Sequence, residues 1–303
     1  MNYIKTKGTR PGEEVKLYYE DLGYGQPVVF VHGWPLSGEM WEYQVTELVK
    51  HGLRCITYDR RGFGKSSRPL GGYDYDTLTD DLNTVLEELD LEDVILVGFS
   101  MGGGEVARYF SKYGGKRVSK AVFVSSITPF MMKTEGNEDG VDENVFVEML
   151  AKMKIDRIGF LDEFGKQFFS DGFISHPVST PLREYYRTIA AFSSPIATFE
   201  CAKAFAQTDF RNDLLAINVP TLIIHGDNDK VVPIEVSGNK TAAIVRGNKY
   251  VIYSNAPHGL FYTNRDELNQ DLLSFINDEL LVEELEAETQ GNVILPSNQA
   301  LYV

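Results

Sequence analysis

The chain has 303 residues, 43% of them hydrophobic and 24% charged, the balance of an ordinary globular protein. That length allows one large domain, or one domain with a sizeable insertion. A formal charge of −15 and a pI near 4.8 repel phosphate backbones and anionic headgroups, which argues against nucleic acid and membrane surfaces as partners.

Tyr3–Thr6 and Val15–Tyr19 alternate apolar and polar residues, as antiparallel strands with one covered face do. From there the pattern changes. Val28–Val31 is a continuous apolar run ending at His32-Gly33, and Cys55–Tyr58 ends at Asp59-Arg60-Arg61-Gly62. Leu78, Leu82, Val85, Leu86 and Leu89 then repeat at helical spacing along one face. Val94–Val97 runs into Gly98, and Gly103 to Phe110 has helical character. Ala121–Val124, Leu222–Ile224 and Tyr250–Tyr253 complete the apolar runs, and Leu268, Leu272, Phe275 and Ile276 form a last helical face.

Continuous apolar strands imply a sheet covered on both faces. Strand–helix alternation implies an α/β fold with a mostly parallel, doubly wound sheet. The alternation breaks over 127–218, which is rich in Phe, Met and charge and reads as a helical lid inserted into a core formed by 1–126 and 219–280. Residues 281–303 change character again, with Glu283, Glu284, Glu286 and Glu288 opening an acidic tail.

No apolar run approaches the roughly 20 residues of a bilayer span, and Met1 to Arg10 lacks a signal-peptide core. Cys55 and Cys201 have neither metal-ligand spacing nor the number for a disulfide framework, so both read as buried thiols in a cytoplasmic protein.

Chemistry concentrates at the strand ends. Gly98-Phe99-Ser100-Met101-Gly102 is a G-x-S-x-G pattern, with an apolar run before it and a helical run after it. A serine on so sharp a turn is lifted clear of the backbone at a helix N-terminus, and only glycine suits the crowded flanks. The Met101 N–H then faces a developing oxyanion.

Ser100 needs a base to take its proton. His51 ends a helical pattern, and His176 lies within the insertion. His32 and His225 close strands, where histidines usually bond loop backbone. His258, on the loop after the last strand, is therefore the candidate base. Two aspartates of His225-Gly226-Asp227-Asn228-Asp229 could orient it, and residue chemistry alone does not separate them. The loop after Val31 offers Trp34 as second oxyanion donor, because Pro35 has no N–H.

In order and spacing, HGWPLSGEMWEYQ, YDRRGFGKSS, GFSMGG, HGDNDKVVP and NAPHGL resemble the cofactor-free (non-haem) chloroperoxidases, bacterial aryl esterases and perhydrolases of the α/β-hydrolase superfamily. The similarity covers about residues 1–280. It implies an α/β-hydrolase fold, Ser100–Asp229–His258 as catalytic triad, and Trp34 and Met101 as oxyanion-hole donors. By family position, Phe160, Phe164, Val231 and Ile234 line the acyl pocket. Pro35 resembles the perhydrolase-like members, some esterase-like members having leucine there.

The implied reaction is acyl transfer from a small ester or carboxylic acid to Ser100. Water then completes hydrolysis, or hydrogen peroxide gives a peracid that oxidises halide in solution. No metal or other cofactor is expected, and the resemblance further implies a homo-oligomer. A lactonase or carbon–carbon-bond hydrolase would keep the same triad. Dehalogenase- and epoxide-hydrolase-like chemistries place aspartate where Ser100 stands. A non-catalytic ligand-binding member would typically lack a triad residue.

Overall fold

The structure is a computed structural model that describes residues 2–172 and 176–277. The acidic tail expected over 281–303 lies outside the described residues.

The chain opens with β1 (Tyr3–Lys7), β2 (Glu14–Gly23), β3 (Pro27–Val31), α1 (Glu42–Lys50) and β4 (Arg54–Tyr58). α2 (Tyr75–Glu88), β5 (Val94–Phe99), α3 (Met101–Tyr113) and β6 (Val118–Val124) follow. Next come α4 (Glu143–Phe168), α5 (Thr180–Ala191), α6 (Pro195–Gln207) and α7 (Arg211–Leu215). β7 (Thr221–Gly226), α8 (Gly238–Ile244), β8 (Asn248–Tyr253), α9 (Leu260–Thr263) and α10 (Arg265–Ile276) complete the described fold.

The strands form one eight-stranded sheet in the order β1-β2-β4-β3-β5-β6-β7-β8. β2 runs antiparallel to β1 and β4, while every other neighbouring pair is parallel. Side chains alternate across a strand, so the continuous apolar runs feed two cores. Val29, Val31, Ile56, Tyr58 and Leu96 pack with Leu78, Leu82, Val85 and Leu86 of α2 on one face. Val28, Phe30, Cys55, Ile95 and Val97 pack with Leu48 of α1 and Leu268 and Leu272 of α10 on the other.

β8 departs from the expectation that both faces of each run are covered. It is the edge strand, its residues before Tyr253 are only partly buried, and Ile252 is 50% exposed.

Chain order reverses at β3, which lies between β4 and β5. Such a switch point opens a crevice beyond the strand C-termini, where α/β sheets bind ligands. The loops after β3 and β5 meet there, with those after β7 and β8 further along the same edge.

Between β6 and β7 the described residues hold helices and two isolated β-bridges, Met132 to Val141 and Thr134 to Asn137. The charged stretch Lys133–Gly140 is a small bridged loop, pinned where Asn137 Nδ2 donates to the carbonyls of Phe130 and Met132, each at 2.9 Å. α4 breaks at Asp156, whose φ of −148° and ψ of 91° leave the helical region. Its Oδ1 accepts the Gly159 N–H at 2.9 Å, capping the second half as a helix N-terminus. The break lets each half aim its own apolar face inward. Phe146 and Met153 are buried from the first, and Phe160, Phe164 and Phe168 share one face of the second at four-residue spacing.

Candidate active site

Ser100 occupies the turn between β5 and α3 with φ 52° and ψ −118°, a strained region for a non-glycine residue. The surroundings hold it there: its N–H donates to Val124 O at 3.0 Å, and its carbonyl accepts the N–H of Gly103 at 3.0 Å. The flanking glycines are steric necessities. A Cβ on Gly98 would lie 2.7 Å from Gly102 O, and one on Gly102 would lie 2.4 Å from Val31 O. Both obstacles are backbone, so neither can swing away.

Ser100 Oγ lies 3.0 Å from His258 Nε2, and His258 Nδ1 lies 2.6 Å from Asp229 Oδ2. All three residues are buried. With Nδ1–H donated to the carboxylate, Nε2 is left as the acceptor facing the hydroxyl. The other carboxylate oxygen, Oδ1, accepts the N–H of Val231 at 2.9 Å and of Val232 at 2.8 Å. Burial alone would raise the Asp229 carboxyl. The His258 charge, with hydrogen bonds from His225 and His258, overcomes that and holds it well below the usual carboxylate range.

The other aspartate does different work. Asp227 is exposed, and its Oδ1 accepts the Asn255 N–H at 2.6 Å, tying the loop after β7 to the loop that carries His258. Geometry thus separates the two carboxylates that residue chemistry left open.

His258 is wedged between aromatic rings, with Phe99 and Phe168 both at a centroid distance of 4.9 Å. Phe168 closes α4, and its carbonyl accepts the Gly259 N–H at 2.8 Å, so the end of the inserted helix buttresses the histidine loop. Sequence reading did not single out Phe168; its signal was the four-residue spacing from Phe160 and Phe164. His225 was expected to bond loop backbone, and its Nε2 lies 2.9 Å from Val232 O. The same nitrogen is also 3.4 Å from Asp229 Oδ2, a contact its strand-end position gave no reason to expect.

Met101 is the first helical residue of α3, so its backbone N–H has no partner within the helix. Trp34 lies on the loop beyond β3, and its indole Nε1–H donates to Thr198 O of α6 at 3.0 Å. Its ring meets Phe164 at 5.2 Å and Phe205 at 5.6 Å between centroids.

A buried polar cluster fixes these loops. Arg60, beyond β4, donates from Nε to Glu105 Oε1 at 2.6 Å and from Nη2 to the His32 carbonyl at 2.6 Å. Tyr58 donates to Glu105 Oε2 at 3.0 Å. His32 starts the Trp34 loop and Glu105 rides on α3, so one fully buried ion pair clamps both elements carrying the candidate donor N–H groups. Burial first, and the Arg60 charge second, push the His32 imidazole well below its ordinary value and keep it neutral. Its Nε2 can then accept the Arg60 N–H at 3.0 Å. Replacing Glu105 by alanine leaves a guanidinium buried without its partner, so a denaturant titration should show stability lower by about 3–5 kcal/mol.

Ser100 opens into a cavity of about 400 Å³. Phe160, Phe164 and Val231 line it, together with Trp34, Ile127, Met131, Phe146, Met149, Phe205 and Val232. Ile234 does not line it. The chain turns at Pro233, the Ile234 carbonyl accepts the N–H of Asn239 at 3.0 Å, and the side chain is buried off the cavity wall, whose lining ends at Pro233.

Comparison with known proteins agrees with this architecture. A family described as the alpha/beta hydrolase fold matches residues 26–158. "Non-heme chloroperoxidase CPO-A1" of Kitasatospora aureofaciens is 41% identical over 271 residues, covering 89% of this chain and 98% of that protein. "Bifunctional esterase/perhydrolase DCH" of Acinetobacter calcoaceticus is 38% identical, covering 91% of this chain and 99% of that protein. The crystal structure of a bromoperoxidase from Bacillus anthracis superposes with a TM-score of 0.87 at 49% identity, covering 91% of this chain and 99% of that one. This chain therefore belongs to the α/β-hydrolase fold family, among the non-haem chloroperoxidases and their esterase and perhydrolase relatives.

Proposed function

We propose that Ser100 is the nucleophile of a serine hydrolase acting on small carboxylic esters, with perhydrolysis as a second outcome of the same acyl-enzyme. The observation that carries this reading is the hydrogen-bonded relay from Ser100 through His258 to Asp229 at the wall of an apolar cavity.

Ser100 Oγ attacks the ester carbonyl while His258 Nε2 takes its proton. Asp229 stays ionised, fixes the imidazole tautomer and stabilises the imidazolium as it forms. The N–H groups of Met101 and Trp34 bind the oxyanion. His258 then protonates the leaving alkoxide or phenoxide, and the ester C–O bond breaks. The acyl group remains on Ser100 among Phe160, Phe164, Phe205 and Val231. Water attacks with His258 as base to give the acid, and hydrogen peroxide attacking in its place gives a peracid. A carboxylic acid can acylate Ser100 by the same route, losing water.

Residues 127–218 act as a lid on a core formed by 1–126 and 219–280. The free, buried thiols Cys55 and Cys201 suit a reducing cytoplasmic setting. Among the described residues no helix is long and apolar enough to cross a membrane.

A fluorophosphonate probe tests the assignment. It should label the native protein once, on the peptide containing Ser100, and unfolding should abolish labelling because the relay is lost. Stoichiometric labelling elsewhere, or none on native protein, would contradict the reading.

A further inference from the structure

The cavity beside Ser100 is apolar except where α4 and the loop after Asp229 contribute charge: Glu148, Lys152 and Lys230 line it. Other lysines of the chain do pair with a neighbouring carboxylate, Lys65 with Glu39 at 2.8 Å and Lys203 with Glu200 at 2.7 Å. Lys152 and Lys230 make no ion pair among the described residues. Glu148 stands one helical turn before Lys152, yet the two are not within ion-pair distance. The cavity wall thus carries a net positive charge in a chain whose formal charge is −15.

The backbone of Lys230 is also held in place. Gln167 Nε2, from the end of α4, donates to the Lys230 carbonyl at 2.8 Å. Asp229 on one side takes the N–H groups of Val231 and Val232 on the other. Lys230 therefore links the residue that orients His258 to the cavity wall through a pinned segment. Both lysines are exposed, so they stand on the solvent side of the cavity, where an ammonium can meet an anionic group at the far end of a chain that reaches out from Ser100.

From this we infer an anion subsite: Lys152 and Lys230 select esters whose acyl chain ends in a carboxylate, the monoesters of dicarboxylic acids. The inference rests on Ser100 being the nucleophile and adds the substrate class. Ser100 Oγ acylates with loss of the alcohol, the distal carboxylate stays ionised against the ammonium groups, and water releases the free diacid. No redox partner enters.

The test compares kcat/KM for p-nitrophenyl hydrogen adipate with that for p-nitrophenyl hexanoate, and suberate with octanoate likewise. The ratio of anionic to neutral ester is the readout, so a general loss of activity cancels. In Lys152→Gln/Lys230→Gln that ratio should fall about five- to tenfold, within the range of two exposed ion pairs. Lys152→Arg/Lys230→Arg, which keeps both charges, should hold it within about twofold, and Glu148→Gln should raise it. A ratio unchanged by the double glutamine variant overturns the subsite. Turnover of either ester that stayed above about a few percent of wild type in Ser100→Ala would instead overturn the reading beneath it, a result distinct from an unchanged ratio.

Discussion

Ser100→Ala should lower kcat for aryl acetate hydrolysis about a millionfold, leaving a residue of activity above the uncatalysed rate. The size follows from the chemistry: without Oγ no acyl-enzyme forms, and His258 can serve only as a base for water. With Trp34 and Met101 as the proposed oxyanion donors, the residue of activity would come from their N–H groups, which would still polarise a bound carbonyl. The fold should tolerate the change. Alanine keeps the Cβ that serine already carries at φ 52°, and the hydrogen bond lost is the one to His258. Steady-state kinetics with a thermal melt would check both halves. A variant that melted normally and kept more than a few percent of activity would remove Ser100 from the mechanism.

The second large effect separates two carboxylates two positions apart. Asp229→Asn should lower kcat about ten-thousandfold, because the amide presents a donor where Nδ1–H needs an acceptor and turns the imidazole to the wrong tautomer. Asp227→Asn keeps an oxygen for the Asn255 N–H and should alter kcat by less than about threefold. A large effect of Asp227→Asn with a small one of Asp229→Asn would reverse the assignment.

The Asp229 carboxyl also sets a direction in pH. Its folded-state value is depressed below the ordinary 3.8, so the unfolded chain takes up the proton first. The stabilisation it provides is complete above that ordinary value and fades as pH falls below it. A melting series into acid should show wild type losing its advantage over Asp229→Asn there.

The parts of the site that could be read from sequence are those fixed by local sterics. Gly98 and Gly102 flank Ser100 because a Cβ at either would strike backbone, and that requirement survives in the letters themselves. The strands are legible because both faces of a central strand must be apolar; β8 is a strand as its apolar run implies, but as an edge strand it escapes that demand and is not covered on both faces. Asp227 and Asp229 could not be told apart by residue chemistry because both sit on one loop. Only the path of the chain decides that one turns to Asn255 and the other to His258.

Long-range pairings left no local trace. Arg60 and Glu105 meet across 45 positions, and neither has a neighbour in sequence that announces a buried charge. Asp156 breaks α4 with neither proline nor glycine at the break, through a side chain that competes for the Gly159 N–H. Ile234 was placed on the cavity wall by family position, and the turn at Pro233 takes it away.

The central claim is a common acyl group on Ser100, and product partitioning tests it most directly. Aryl acetates with phenols of different acidity would be turned over at one fixed hydrogen peroxide concentration, and the ratio of peracetic to acetic acid measured for each. A shared acyl-enzyme forgets its leaving group before water and peroxide compete for it, so the ratio should be the same for every ester. A ratio that varied with the phenol would mean that water or peroxide attacks the ester directly, and would contradict the account.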